Sequence, residues 1–166
     1  MNILDVKLKQ SSTALVLAAI KLFLKYASIK ENLFVQIIDR VRQPLLTLLT
    51  STEVDGYEIT YVVLQHILYI VSTLGAKELF EKSYKHFFCK VDEPTYIKTV
   101  KIDILKYLSG NANMSDIFNE LEEYACEDEL IARKAVNALG DIATRVPVEY
   151  CRLIIKILIK TVQLER

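Results

Sequence analysis

The sequence predicts an all-α fold: a right-handed α-solenoid of HEAT- or armadillo-like helix pairs, about eight helices in a single domain over 1–166. Three observations carry this prediction. Glycine and proline together supply only seven of the 166 residues, so long segments run without a turn residue. Four segments repeat an apolar spine at helical spacing. Between and after these spines lie four more segments that also read as helices, so the unit is a helix pair that buries its apolar face only against its neighbours.

The first spine is TALVLAAIKLFLKY from Thr13, with Ser11 or Ser12 placed to cap its start. Its partner, VQIIDRVRQPLLTLL from Val35, contains Pro44. Proline lacks an N–H and crowds the preceding turn, so this helix is expected to kink or split near Gln43. The second spine, TYVVLQHILYIVS from Thr60, is followed by Gly75, where a left-handed C-terminal residue is wanted, and then by the helical segment ELFEKSYKHFFCK from Glu78. Asp92 with Pro94 marks the start of the third spine, YIKTVKIDILKYLS from Tyr96. Gly110 marks its end, again where a left-handed C-terminal residue is wanted, and Asn113 starts MSDIFNELEEYACE. The last pair joins IARKAVNALGDIATR from Ile131 to EYCRLIIKILIKTV from Glu149. The pairs are thus about 11–50, 57–90, 93–128 and 129–164. Aligning Val16, Val63, Val100 and Ala135 gives offsets of 47, 37 and 35 residues, close to the period of HEAT and armadillo units.

In the last segment, apolar residues at 150, 153, 154, 155, 157, 158, 159 and 162 cover more than one helix face. That pattern predicts a helix packed on both sides, with a further repeat beyond it in an intact protein. The sequence is therefore read as an excerpt of a longer solenoid that leaves apolar surface exposed on its terminal helices, to be covered by crystal contacts or self-association of the fragment.

A composition of 52% hydrophobic and 25% charged residues fits a folded globular chain. Lysine plus arginine equal aspartate plus glutamate at 21 each, so no global attraction to nucleic acid or to an anionic membrane follows. Locally the charge is uneven: residues 116–129 hold seven acidic and no basic side chains, which reads as a solvated helix face and loop. The longest apolar runs, 14–20 and 153–159, fall well short of the roughly 18–20 residues that cross a bilayer. The first residues lack a basic stretch followed by an apolar one, so a secretory signal is not expected. Cys89, Cys126 and Cys151 show no paired spacing, which suggests free thiols in a reducing cytosolic setting, with Cys89 and Cys126, at equivalent places in consecutive pairs, read as core thiols.

Little in the sequence supports catalysis. His66 and His86 lie apart on different helical segments and read as packing or surface residues. Glu122 and Glu123 are adjacent on a helix and so diverge. No CxxC, HExxH, calcium-loop, GxxxxGK[ST] or GxGxxG pattern occurs, so no metal, nucleotide or other cofactor is expected.

One segment does carry a recognisable pattern. In KHFFCKVDEPTYIKTVKIDILKYLS, over 85–109, the aromatic pair Phe87 and Phe88 is followed by a short polar stretch, Pro94, Tyr96, and lysines three apart at Lys98 and Lys101. This resembles a segment of the beta-type adaptins. SSTALVLAAIKLFLKY, RQPLLTLLTS from Arg42, YEITYVVLQHILYIV from Tyr57 and ELEEYACEDELIARKAVNALGDIA from Glu120 extend the resemblance collinearly over nearly the whole chain. The YKHFFC string looks most like the fourth adaptor complex, a coat of the trans-Golgi network that works without clathrin.

The resemblance implies a non-enzymatic scaffold of a vesicle-coat adaptor complex in intracellular protein transport. Its expected partners are the second large chain and the medium and small chains, with cytoplasmic, peripheral placement on Golgi or endosomal membranes and no nucleic acid. The family's N-terminal trunk repeats, clathrin-box hinge and ear are not in this sequence, so clathrin binding is not assigned to it. Pro94, Tyr96, Lys98 and Lys101 are the candidate structural or interaction residues. With Asp103 beside the lysines, bonding to the adjacent helix pair is favoured over phosphoinositide contact. A competing reading is another HEAT or armadillo scaffold such as a nuclear transport receptor, whose groove would carry asparagine or tryptophan ladders; the chain has no tryptophan.

Overall fold

The computed structural model describes residues 12–27, 34–51 and 56–164. Among these it is helical and contains no strand. The helices are α1 (Thr13–Ala27), α2 (Phe34–Ser51), α3 (Tyr57–Ser72), the single turn α4 (Glu78–Glu81), α5 (Thr95–Leu108), α6 (Met114–Tyr124), α7 (Glu129–Ala143) and α8 (Val148–Leu164), with a 3₁₀ turn at Tyr84–Phe87. The chain divides into two compact units, Met1–Phe80 and Glu81–Arg166.

In the first unit α1 packs on α2, and α2 on α3. Each helix commits one stripe to the core: Val16, Ala19, Ile20, Phe23 and Leu24 on α1, Ile37, Ile38, Val41, Leu45 and Leu49 on α2, and Val63, Leu64, Ile67, Ile70 and Val71 on α3. These positions recur at three- and four-residue steps, so each stripe stays on one side of its helix. Ser11 lies outside the described residues. Pro44 sits inside α2, which runs unbroken from Phe34 to Ser51, so the expected split does not occur. The Leu45, Leu46 and Leu49 side chains, all buried directly after Pro44, supply apolar packing that offsets the lost N–H.

Gly75 lies three residues beyond α3 with φ +69°. The left-handed residue turns the chain so that the Ala76 N–H donates to the Ile70 carbonyl at 3.3 Å. Gly110 stands two residues beyond α5, and its N–H donates to Asn113 Oδ1 at 2.8 Å. Asn113 also donates from Nδ2 to the Leu108 carbonyl at 3.1 Å. Its side chain therefore closes the end of α5, and it makes no side-chain cap on the start of α6. Both glycines thus stand just past helix ends, but Gly110 is not left-handed as expected, because the Asn113 side chain rather than a left-handed turn satisfies the helix end there. Gly140 differs from them: it lies within α7, and nothing stands within 4 Å of where its Cβ would be. Gly75→Ala is expected to cost about 1 kcal/mol of stability, from the left-handed backbone. Gly140→Ala should add roughly 0.5 kcal/mol by lowering the entropy of the unfolded chain. Urea midpoints moving in opposite directions would confirm the pair of assignments.

The second unit stacks four helices. α5 packs on α7, α6 on both α7 and α8, and α7 on α8, so equivalent members of consecutive pairs lie side by side. α5 is buried on more than one face, with Ile97, Val100, Ile102, Ile104, Leu105 and Leu108 all in the core. The buried side of α7 includes Ala132, Ala135 and Ala138, small side chains that permit close approach of a neighbouring helix. At the surface, Lys106 bonds Asp141 at 3.0 Å and Lys134 bonds Asp103 at 2.7 Å, tying α5 to α7. Exposed pairs of this kind contribute only ~0.2–1 kcal/mol each.

The segment expected to form one helix over 78–90 does not. It comprises the single turn α4, the 3₁₀ turn and an extended residue at Phe88 (φ −68°, ψ 137°). Its backbone groups find partners on other elements, so the helical ladder is not needed to satisfy them. The Cys89 N–H donates to the Tyr124 hydroxyl at 2.7 Å, and the Phe88 carbonyl accepts from Lys101 Nζ at 3.1 Å. Phe80 and Phe87 meanwhile stay fully buried.

α8 carries two apolar faces. Ile154 and Ile157 are buried, while Leu153, Ile155 and Ile159 are 43%, 54% and 53% exposed. Val162 lies outside the described side chains. Exposed apolar surface was expected on this helix, and α1 shows the same feature at Leu15, Leu22 and Tyr26.

Candidate functional site

The four residues singled out in the sequence fall on one short stretch, where the extended segment after the 3₁₀ turn enters α5. Pro94 is the N-cap residue of α5, and its fixed φ of −60° with ψ 149° delivers the chain to the first helical turn. Its carbonyl accepts from the N–H groups of Ile97 and Lys98 at 2.9 and 3.2 Å. Tyr96 is 46% exposed, and its carbonyl accepts from the Thr99 hydroxyl at 2.9 Å.

The two lysines point inward. Lys101 is 2% exposed, and its Nζ reaches Glu93 Oε1 at 2.5 Å and the Phe88 carbonyl at 3.1 Å. The second oxygen of Glu93 accepts from the Lys90 N–H at 3.0 Å, and the Glu93 N–H donates back to the Lys90 carbonyl at 3.2 Å. Residues 88–93 are thus held by one buried ammonium and one buried carboxylate, whose charges cancel. Lys98 is 7% exposed and donates to Glu127 Oε2 at 2.6 Å, in the loop that follows α6. The hydrogen bond to Glu127 raises its pKa, so the ammonium form persists at any physiological pH.

Residues the sequence did not single out complete this network. Tyr124 donates its hydroxyl proton to Glu120 Oε2 at 2.6 Å while accepting from the Cys89 N–H, and burial raises its pKa. Tyr84 donates to Asp116 Oδ2 at 2.5 Å, and this bond, aided by Lys85 at 3.6 Å, lowers the Asp116 pKa. The periodicity of 114–124 and the tyrosine count are visible in sequence. The pairing of Tyr84 with Asp116, 32 residues apart, is not.

The three cysteines are free. Cys126 is exposed, which corrects its reading as a core thiol: it follows the last turn of α6 and donates only to the Glu122 carbonyl, at 3.5 Å. Cys89 is half-buried, and burial pushes its pKa up to about 12. It therefore stays a thiol at neutral pH and is a poor nucleophile. Iodoacetamide at pH 8 is expected to alkylate Cys126 at least tenfold faster than Cys89, read by peptide mass spectrometry.

Nothing in this network forms an acid–base pair around a cavity. His66 Nδ1 donates to the Val62 carbonyl at 2.7 Å, and His86 lies exposed in the 3₁₀ turn. Among the described residues no group of three His, Cys, Asp or Glu side chains could hold a metal ion, and no helix is long and apolar enough to cross a membrane. The lysine ion pairs Lys98–Glu127 and Lys101–Glu93 lie within the 93–128 pair, while Lys101 Nζ to the Phe88 carbonyl, the Cys89 N–H to Tyr124 and Tyr84 to Asp116 tie residues 84–89 to it; chemically the arrangement is a clamp.

Comparison with known proteins agrees with the resemblance to the adaptins. The family described as "Adaptin N terminal region" matches residues 1–165. The AP-4 complex subunit beta of Dictyostelium discoideum is 38% identical over 150 residues, covering 87% of this chain and 17% of the relative. The beta-adaptin-like protein A of Arabidopsis thaliana is 36% identical over 144 residues, covering 86% and 16%. The AP-1 complex subunit beta-1 of Homo sapiens is 33% identical over 144 residues, covering 84% and 14%. The chain spans less than a fifth of the length of these relatives.

Proposed function

The chain belongs to the family of adaptin N-terminal regions, and from that membership we propose that it is a segment of the helical trunk of a beta-type adaptor subunit. In this reading residues 1–166 act as one stretch of scaffold in a vesicle-coat adaptor complex, supporting subunit assembly and cargo sorting without catalysis. The observation that carries it is the family match over 1–165, on a chain whose described residues form packed helix pairs. The alternative of a nuclear transport receptor is not favoured, since the relatives above are adaptor subunits.

Its partners are then a second large chain, a medium chain and a small chain. Placement is cytoplasmic and peripheral on trans-Golgi, Golgi or endosomal membranes through the assembled complex, with no role for nucleic acid. Within the family the fourth complex is the preferred assignment, supported by 38% identity to an AP-4 beta subunit against 33% to an AP-1 beta subunit. Pro94, Lys98 and Lys101 hold the 93–128 pair and the turn before it together for this purpose, and Tyr96 offers a half-exposed ring at the start of α5. Affinity purification of the full-length protein that contains this segment tests the reading. Recovery of stoichiometric second large, medium and small chains is expected, and the identity of the second large chain assigns the complex. Purification as a lone chain from a cell that expresses those subunits would overturn it.

A further inference from the structure

The first turns of α5 and α7 lie together at one end of the second unit. Lys98 bonds Glu127 at 2.6 Å, Asp103 bonds Lys134 at 2.7 Å and Lys106 bonds Asp141 at 3.0 Å, at successive heights, so the two helices run parallel. Their buried residues match at a step of 34, as Ile97 with Ile131 and Leu105 with Leu139. Just before the first of these matches stand Tyr96 on α5 and Leu130 on α7, 46% and 64% exposed. A third apolar side chain belongs to the turn that leads into α5. Val91 is 96% exposed in the turn 90–93, which is closed twice: the Glu93 N–H donates to the Lys90 carbonyl, and the Lys90 N–H donates to Glu93 Oε2. The bond from Lys101 to Glu93 pins that turn to α5. The valine is thus held in solvent before any ligand arrives, which lowers the entropy cost of binding there.

The surroundings of these three side chains are acidic. Counted over 90–101 and 122–133, seven acidic residues stand against four basic ones. We propose that Val91, Tyr96 and Leu130 form a docking surface for a segment of a partner protein that carries large apolar side chains flanked by lysine or arginine. The apolar anchors supply the contact, and the acidic rim selects the basic flanks. Charge also decides against other occupants. A second copy of this chain would set the same negative rim against this one, and juxtaposed like charges disfavour a complex. The cytoplasmic face of a bilayer is itself anionic and would be repelled. An extended segment of four or five residues covers about 13–17 Å. That is enough to cross two packed helices, whose axes stand about 8–10 Å apart. The surface deepens the scaffold reading, and binding to the chain by itself is read separately from subunit recovery.

The probe is a fluorescein-labelled peptide, Arg-Lys-Leu-Leu-Ser-Phe-Leu-Lys-Arg, followed by fluorescence anisotropy as the 166-residue chain is added. One comparison peptide replaces its apolar residues with serine, and another replaces its basic residues with glutamate. The parent peptide is expected to bind at least tenfold tighter than either. Val91→Ser/Leu130→Ser should weaken it at least tenfold. Asp92→Asn/Asp128→Asn should weaken it at least threefold and make it less sensitive to salt. Leu22→Ser, at an exposed apolar position on α1, should leave it unchanged. All five positions are exposed, so these variants should keep the helical circular dichroism of the parent chain. Equal binding of the serine peptide, undiminished binding to Val91→Ser/Leu130→Ser, or no binding at all overturns the proposal. So does a dimer in sedimentation equilibrium that Val91→Ser/Leu130→Ser abolishes, since a second copy would then be the occupant. None of these outcomes bears on whether the full-length protein recovers the other subunits.

Discussion

Lys101→Met is expected to cost about 3–5 kcal/mol of stability, because it leaves the buried Glu93 carboxylate without its counter-charge. At this chain length each kcal/mol moves the melting temperature by roughly 2–4 °C, so the loss should be on the order of 10 °C. The methionine itself fits well enough. It matches the lysine stem in length and volume, so packing alone predicts a small effect and the two explanations separate cleanly. The pair is nearly sealed, with the lysine 2% and the glutamate 9% exposed. The lost contacts also include the Phe88 carbonyl, which takes its bond from the same ammonium.

A second variant makes the electrostatic account falsifiable. Glu93→Gln keeps an acceptor for the Lys90 N–H but leaves Lys101 charged and unpaired, so it should also destabilise by several kcal/mol. Combining the two removes both charges. The double variant is therefore expected to recover at least half of the summed loss, a coupling that only direct interaction produces. If Lys101→Met alone costs under about 1 kcal/mol, the ion pair contributes no more than a surface pair and the clamp reading fails.

How much of this was legible in the sequence follows from the range of each interaction. Helices α1, α2, α3 and α5–α8 follow from apolar stripes at three- and four-residue spacing, a local property that no distant contact overrides. Gly75 was readable because only glycine adopts the left-handed backbone without strain. The largest failure involves partners far away in the chain. The 78–90 segment has the spacing of a helix, yet its carbonyls and N–H groups bond to Lys101 on α5 and Tyr124 on α6. Pro44 carries a strong local breaking signal, and buried leucines after it keep the helix whole. Asn113 was placed correctly but with the wrong task, since its side chain faces back toward α5.

Within the candidate site the lysine spacing itself was informative. Two lysines three apart on the buried side of a helix would cost too much unless each met a carboxylate, and both do. What the sequence left open was which carboxylates: Asp103 is near in sequence but bonds Lys134, whereas Glu93 and Glu127 take the two buried ammoniums. The side chains of Tyr84, Cys89 and Tyr124 were invisible as site residues because their partners lie about one repeat away.

Phe118→Ala should produce a loss of similar size by a different route. The ring is fully buried on α6 and stands edge-on to Tyr150 of α8, with centroids 6.3 Å apart and planes at 70°. Truncation removes the apolar transfer energy and leaves a cavity that fixed helices cannot close, costing about 3–5 kcal/mol. The edge-to-face contact accounts for about 0.5–1.5 kcal/mol of that. Phe118→Leu fills most of the space and should cost about 1.5 kcal/mol or less, so the difference between the two variants measures the cavity. Hydrogen exchange gives the local readout: amides of α6 and α8 should lose the most protection, because the missing ring lies between them. A loss under about 1 kcal/mol for the alanine variant would mean that α6 and α8 relax together to refill the gap. The second unit would then be looser than its burial pattern implies, and its helices could not hold neighbouring repeats in a fixed register.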